Sequence, residues 1–307
     1  MATLRDIGEL GFIQRVKKIL GDDPRVIRGI GDDAAVLPFT KKEHLLFTID
    51  AIREGVHFTL KKAPLYPQKA TPFQIGWKAL GVNLSDIAAM GGIPLYAVVS
   101  LGVRKEDPVS FYDEITLGMK TLARLFDVAV VGGDTDRSEK LVLTIAMIGT
   151  VERERCILRS TARVGDVILV TGNLGGSRQG KHLTFMPRIK EARILTKNFR
   201  VTSMIDLSDG LAGDLAQICR ESGVGALVEE AQVPISKGAT LHSALNDGED
   251  FELLFTLSPR DAGILLQRQK MLGLRVSKIG KITAKKEGIR LRTTKGTVPL
   301  TGGFRHF

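Results

Sequence analysis

Aspartate recurs beside glycine or a hydroxyl residue where the apolar runs of this chain stop, in five places: Gly29-Ile-Gly-Asp-Asp33, Thr48-Ile-Asp50, Asn83-Leu-Ser-Asp86, Gly132-Gly-Asp-Thr-Asp136 and Ile205-Asp-Leu-Ser-Asp-Gly210. Taken singly, each reads more readily as a turn or a helix cap than as a metal site. Ser208 is placed to cap the helix that carries Leu211, Leu215 and Ile218, and Asp86 shares a helix face with Asn83 beside an apolar stripe. Together they constrain the fold more sharply. Carboxylates brought to one place repel, and burying them unpaired costs roughly several kcal/mol, so a fold that gathers them supplies a cation. Oxygen ligands of this kind select Mg²⁺, which is commonly held by a few carboxylates together with substrate phosphates. Gly132 and Gly133, following an expected strand from Val128 to Val131, would let backbone approach a phosphate. Asp134 would then hold the metal bridging to it.

Strands are expected over His44–Asp50, Leu95–Leu101, Val128–Val131, Leu141–Thr150, Asp166–Thr171 and Phe251–Leu257, which are aliphatic and bounded by Gly, Asp or Pro. Helices are expected over Gln74–Met90 (Trp77, Leu80, Leu84 and Ile87 in step), Val109–Phe126 and Leu211–Glu221. The chain therefore reads as α+β in two domains, 1–150 and 151–307. No short-period repeat interrupts it.

Lys and Arg exceed Asp and Glu by 44 to 34, a net charge of +10, but the basic residues are dispersed. With aromatics at 6% and none interleaved with Arg, a nucleic-acid stacking platform is not expected, and anionic small molecules suit the charge equally well. Cys156 and Cys219 stand outside any metal-ligand spacing and read as inert thiols in a reducing compartment. The first twenty residues carry charges through a helical stripe (Leu4, Ile7, Leu10, Phe12, Val16, Ile19), unlike a signal peptide, and Ile93–Val103 is too short to cross a membrane. A cytoplasmic location is expected. Gly175-Gly-Ser-Arg-Gln-Gly180-Lys181-His182 imitates a phosphate-binding loop, but His182 stands where Ser or Thr would ligate Mg²⁺. It reads as a glycine-rich connection.

Read in order, the segments Gly29–Val36, Asp50–Phe58, Lys78–Gly91, Gly132–Thr135, Arg159-Ser, Asp206–Gly210, Gly248-Glu-Asp-Phe-Glu-Leu253 and Gly303-Phe-Arg-His-Phe307 resemble the thiamine-monophosphate kinases. These belong to the family that also contains aminoimidazole ribonucleotide synthetase, selenophosphate synthetase and the hydrogenase maturation dehydratase. The match runs nearly end to end. It implies a two-domain α+β fold whose N-terminal sheet pairs with that of a second subunit, giving a homodimer. It further implies several Mg²⁺ ions on Asp33, Asp50, Asp86, Asp134 and Asp206, with Thr48 assisting and Asp209 a further candidate. ATP would face Gly133, Asp134, Arg159 and Ser208. Thiamine monophosphate would face His57, Glu249, Asp250, Glu252 and Phe304, and Asp50, Asp134 and Arg159 would carry the transfer. Ile49 departs from the hydroxyl residue expected there, and Tyr112 is the one candidate for the adenine pocket.

The implied reaction is direct transfer of the γ-phosphoryl group of ATP to the acceptor's phosphate, in line and assisted by metal. Selenophosphate synthesis is disfavoured by the lack of a cysteine before Gly29, and the hydrogenase role by a C-terminus ending His306-Phe307. ATP-dependent ring closure in purine synthesis shares the same cofactors and stays open. So do a kinase acting on unphosphorylated thiamine and, from another class, a non-catalytic nucleotide- or RNA-binding protein.

Overall fold

The computed structural model describes residues 3–61 and 68–304. Of the terminal motif, residues 305–307 lie outside the described residues. A first sheet is built from β1 (Ala35–Pro38), β2 (Glu43–Arg53), β3 (Ile93–Val103), β4 (Ala129–Arg137) and β5 (Val142–Glu152), in the order β1-β2-β5-β3-β4. Only β3 and β4 run parallel. Helices α1 (Leu4–Leu20), α2 (Pro72–Ala89) and α3 (Val109–Leu125) accompany it.

Residues alternate across β2: Leu46, Thr48 and Ile52 are buried beneath α2, whereas Phe47, Ile49 and Ala51 are exposed on the opposite face. β3 repeats the pattern, with Ala97 and Val99 buried and Tyr96, Val98 and Ser100 exposed. The helix-free face of this sheet thus presents apolar side chains to solvent. α1, interrupted at Gly8, buries none of its described side chains, so among the described residues the stripe read from the sequence enters neither core.

α2 is the hub. Thr71 accepts from the Gln74 amide and Pro72 starts the first turn, which sets the N-terminus. Thirteen of its residues are buried, as expected of a helix apolar nearly all round. It crosses α3 closely because Gly76 and Gly118 lack side chains; a Cβ at either would lie 1.8 Å from the Ile115 carbonyl oxygen or 2.0 Å from that of Phe73. Substituting alanine at either glycine would therefore force the helices apart.

A second sheet begins at β6 (Val167–Thr171). After α4 (Lys181–Thr184) and α5 (Ile189–Asn198) come β7 (Ser203–Asp206), α6 (Leu211–Ser222), β8 (Gly225–Glu229), α7 (Leu241–Asn246), β9 (Leu253–Leu257), α8 (Pro259–Arg268), β10 (Val276–Thr283), β11 (Ile289–Thr293) and β12 (Gly296–Pro299). Their order is β12-β11-β8-β10-β6-β9-β7. One core runs through both halves, joining Leu46, Leu80, Leu84, Ile87 and Met147 to Leu169, Met204 and Phe255. A second core lies between this sheet and α6, with Ile168, Val170, Leu215, Ile218 and Leu254. Edge strand β7 therefore ends beside α2, which delivers Asp206 to the aspartates of the first half.

Candidate active site

A cavity of about 310 Å³ opens where β2, α2 and the segment after β7 meet. Asp33, Asp86 and Asp206 converge there, one carboxylate oxygen from each lying within 4.8 Å of the others. Three separate elements place them: the turn leading into β1, the last turns of α2 and the end of β7. Thr48 Oγ1 donates to Asp86 at 2.5 Å, and Ser85 Oγ donates to Asp206 at 2.6 Å, so both carboxylates are held in position. Asp50, Ser208 and Asp209 line the same cavity. Gly210 rather than Ser208 caps α6, which leaves the Ser208 hydroxyl to the cavity wall.

Among the described residues that line the cavity, one Lys or Arg faces this group. Arg159 grips Asp33 with two guanidinium bonds of 2.8 and 3.2 Å, while its backbone N–H donates to Asp32. Burial opposes its charge, but the Asp33 carboxylate more than offsets this, and its pKa lies above the ordinary arginine value. The carboxylates are under-compensated. Burial pushes Asp50 up to about 7, with the Asp33 and Asp209 charges adding to the effect. Asp86 and Asp206 are also raised well above 3.8, chiefly by burial and then by neighbouring aspartates. Hard, crowded, oxygen-only donors of this kind fit Mg²⁺.

These shifts fix a pH dependence. Each folded-state pKa lies above its unfolded value, so between about pH 4 and 7 these carboxylates bind more protons in the folded protein than in the unfolded chain, and rising pH removes the stability they supply. Without divalent metal, the thermal midpoint is expected to fall across that window. The stabilisation added by Mg²⁺ is expected to grow, because metal replaces the departing protons. Melts with chelator and with Mg²⁺ from pH 5 to about 7.5 measure this; a gap that narrows with pH contradicts the crowding.

The far end of the cavity has a different character. His57, Glu249, Phe251 and Phe304 line it, with Phe304 42% exposed and its N–H donating to the Asp209 carbonyl at 2.8 Å. The Arg53 N–H donates to His57 Nδ1 at 3.0 Å. Nδ1 is therefore an acceptor, and the ring proton sits on Nε2.

Several expected residues lie elsewhere. Gly132 and Gly133 do not form a turn after a strand: β4 runs on to Arg137 and includes them. A Cβ at Gly133 would lie 1.9 Å from the Val99 carbonyl oxygen, so close strand packing accounts for that glycine. Asp134 pairs with Ser100 on the exposed face and does not line the cavity. Asp50 pairs with Ile145, Ile145 with Val99 and Val99 with Gly133, which puts three strand spacings, about 14 Å, between Asp50 and this edge. The hydroxyl of Tyr112 bonds Asp107 and the Arg104 N–H at the head of α3, away from the cavity.

The Gly248–Leu253 motif divides its acids. Glu249 faces the cavity, whereas Asp250 accepts from the Gly175 and Gly176 N–H groups, and Glu252 accepts from Thr171, Lys181 and Arg188. Burial would raise Glu252, but the Arg188 and Lys181 cations hold it below its ordinary value. In this structure both acids anchor the glycine-rich segment and neither lines the cavity. Lys181, bound to Glu252 and the Asn173 carbonyl, is not a phosphate-loop lysine. Glu252→Ala removes the buried carboxylate shared by two quarter-exposed cations, which keep only the Asn173 carbonyl and Glu191, and is expected to lower stability by about 1.5–3 kcal/mol, read by urea unfolding. A loss below about 1 kcal/mol would contradict this role.

Two residues of consequence went unassigned in the sequence. Lys78 is wholly buried yet reaches Glu249, and Asp214, also buried, accepts the Asp209 N–H at 3.0 Å. A lysine within the apolar run from Trp77 to Val82 was the available signal for the first. For Asp214 the position in the first turn of α6, five residues after Asp209, gave a weaker one.

Both halves of the chain match models of one family: the AIR synthase related protein N-terminal domain over residues 31–151 and its C-terminal domain over 171–292. The thiamine-monophosphate kinase of Synechococcus elongatus is 34% identical, the match covering 99% of this chain and 98% of that one. That of Bacillus subtilis is 36% identical over 91% and 93%. A solved structure, AaThiL complexed with AMPPCP and TMP, aligns with a TM-score of 0.85 and 28% identity over 100% of this chain and 99% of that one. The chain belongs to the AIR synthase related family and, within it, to the thiamine-monophosphate kinases, a branch of phosphotransferases.

Proposed function

We propose that this protein transfers the terminal phosphoryl group of ATP to the phosphate of thiamine monophosphate, giving thiamine diphosphate and ADP. The supporting observation is the convergence of Asp33, Asp86 and Asp206, with Asp50 on the same wall, in a cavity whose other end carries an imidazole and an exposed aromatic ring. Mg²⁺ held by these carboxylates and Thr48 would screen the repulsion between two polyanions and neutralise charge on the leaving diphosphate. Arg159 contributes a fixed positive charge toward the nucleotide, and Ser208 a hydroxyl donor. His57 donates its Nε2 proton to the acceptor phosphate. Phe304 stacks on the thiamine ring system, whose cationic thiazolium suits an aromatic face and the nearby Glu249. An oxygen of the acceptor phosphate attacks the γ-phosphorus in line as the bond to ADP breaks. That oxygen is already anionic, so no general base is required.

The purified protein incubated with Mg-ATP and thiamine monophosphate should release thiamine diphosphate and ADP in equal amounts, and thiamine itself should yield no phosphorylated product. ADP released without thiamine diphosphate would sink the assignment.

The working unit is proposed to be a homodimer joined through the helix-free face of the first sheet. Phe47, Ile148 and Tyr96 form one row across that face, and Ile49, Ala146 and Val98 the next. The following row, Ala51, Thr144, Ser100, ends at Asp134. Pairing two such faces buries the apolar rows and carries Asp134 of the partner subunit toward Ile49 and Asp50. The sequence role of Gly133 and Asp134 is thereby kept, but across subunits. Val98→Glu is expected to yield a monomer with little activity, and sedimentation and turnover together check it. A fully active monomer contradicts the pairing. Among the described residues no helix is long and apolar enough to cross a membrane. We place the protein in the cytoplasm, consistent with two free thiols that burial pushes up to about 12.

A further inference from the structure

A charged side chain has no place in a buried helix unless its partners repay the loss of water, and Lys78 has two. Its ammonium donates to the His57 carbonyl at 2.6 Å and to Glu249 Oε1 at 2.5 Å. The side chain is 0% exposed. Burial presses its pKa down, and the Glu249 carboxylate acts against that. Its partners come from opposite walls of the acceptor end: His57 follows β2 of the first sheet, and Glu249 precedes β9 of the second.

The turn it grips is strained. Glu249 and Phe251 adopt φ of 55° and 50°, a left-handed conformation that a non-glycine residue keeps only when its surroundings enforce it. The Glu249 N–H donates to the Ser208 carbonyl at 2.8 Å, so the turn is tied by its backbone on one side and by Lys78 on the other. On the opposite wall the same lysine holds the main chain of the residue whose ring the Arg53 N–H orients. Along α2, Lys78, Val82 and Asp86 are spaced by four residues, so one helix sets the separation of the metal and acceptor ends at about 12 Å.

We infer that Lys78 is the positioning residue of the acceptor half of the site: by fixing His57 and Glu249 together it sets affinity for the phosphorylated acceptor, leaving ATP binding and the transfer step largely untouched. The inference rests on the proposed acceptor.

Lys78→Met keeps length and removes the charge, and Lys78→Gln keeps a shorter donor. In Lys78→Met the KM for thiamine monophosphate is expected to rise about tenfold or more, while the KM for ATP and kcat stay within about threefold. Lys78→Gln should fall between Lys78→Met and the unaltered enzyme. Adding Glu249→Gln to Lys78→Met should raise the acceptor KM no further than the larger single effect, because both break one link. Melting curves establish folding. An unchanged acceptor KM in a folded variant overturns the inference, as does an equal loss in both KM values and kcat. Failure of both variants to fold overturns it too, since Lys78 would then be a stability element. If the unaltered protein does not turn over thiamine monophosphate, the proposed acceptor has failed instead, and the two outcomes stay distinct.

Discussion

Asp50→Asn is expected to lower turnover by about 10³-fold or more while raising the thermal midpoint of the metal-free protein. Both effects have one origin. Asp50 lies with Asp33 and Asp209 on a wall where burial and like charge push its pKa up to about 7, so at neutral pH an ionised carboxylate there is held at a loss in the absence of cation. Asparagine keeps the shape and removes the charge. The folded metal-free state gains, and the site loses a ligand it needs when two polyanions meet. A merely structural aspartate gives the opposite thermal result, since losing it weakens the fold. Near-normal turnover with unchanged Mg²⁺ demand would remove Asp50 from the metal set, and steady-state rates across Mg²⁺ concentrations decide the matter.

Mixing two inactive variants, Asp50→Asn and Asp134→Asn, is expected to restore about a quarter of the full number of working sites. Within one chain these residues lie about 14 Å apart, on opposite faces of the sheet. If each site takes Asp50 from one subunit and Asp134 from the other, half of the randomly paired dimers contain one intact site and one doubly defective site. Active-site titration after subunit exchange gives the count. No recovery in verified mixed dimers would show that the two residues do not share a site in this way, and would return Asp134 to the role of an exposed edge residue.

The parts of the site legible in the sequence are those whose chemistry is written in residue type. Asp33, Asp50, Asp86 and Asp206 stand out because acidic turns recur five times in one chain, although each alone reads as a turn or a cap. Their meeting point was not legible, because it depends on β7 arriving beside α2 through a core that unites both halves. The Gly132-Gly133 segment misled for a local reason. Glycines after an aliphatic run resemble a turn, but the parallel pairing of β4 with β3 continues the strand through them. Glu249, Asp250 and Glu252 look alike in a motif, yet the left-handed backbone at Glu249 and Phe251 sends neighbouring acids in different directions. Lys78 escaped notice because its partners are 21 and 171 residues away.

The claim on which the rest depends is that Asp33, Asp86 and Asp206 hold divalent cations. Crystals grown with Mn²⁺ and a non-hydrolysable ATP analogue, measured at the manganese absorption edge, test it most directly. Anomalous peaks between these three carboxylates, and their loss in Asp86→Asn, are the expected result. An ordered nucleotide with no anomalous density among the three aspartates would contradict the account.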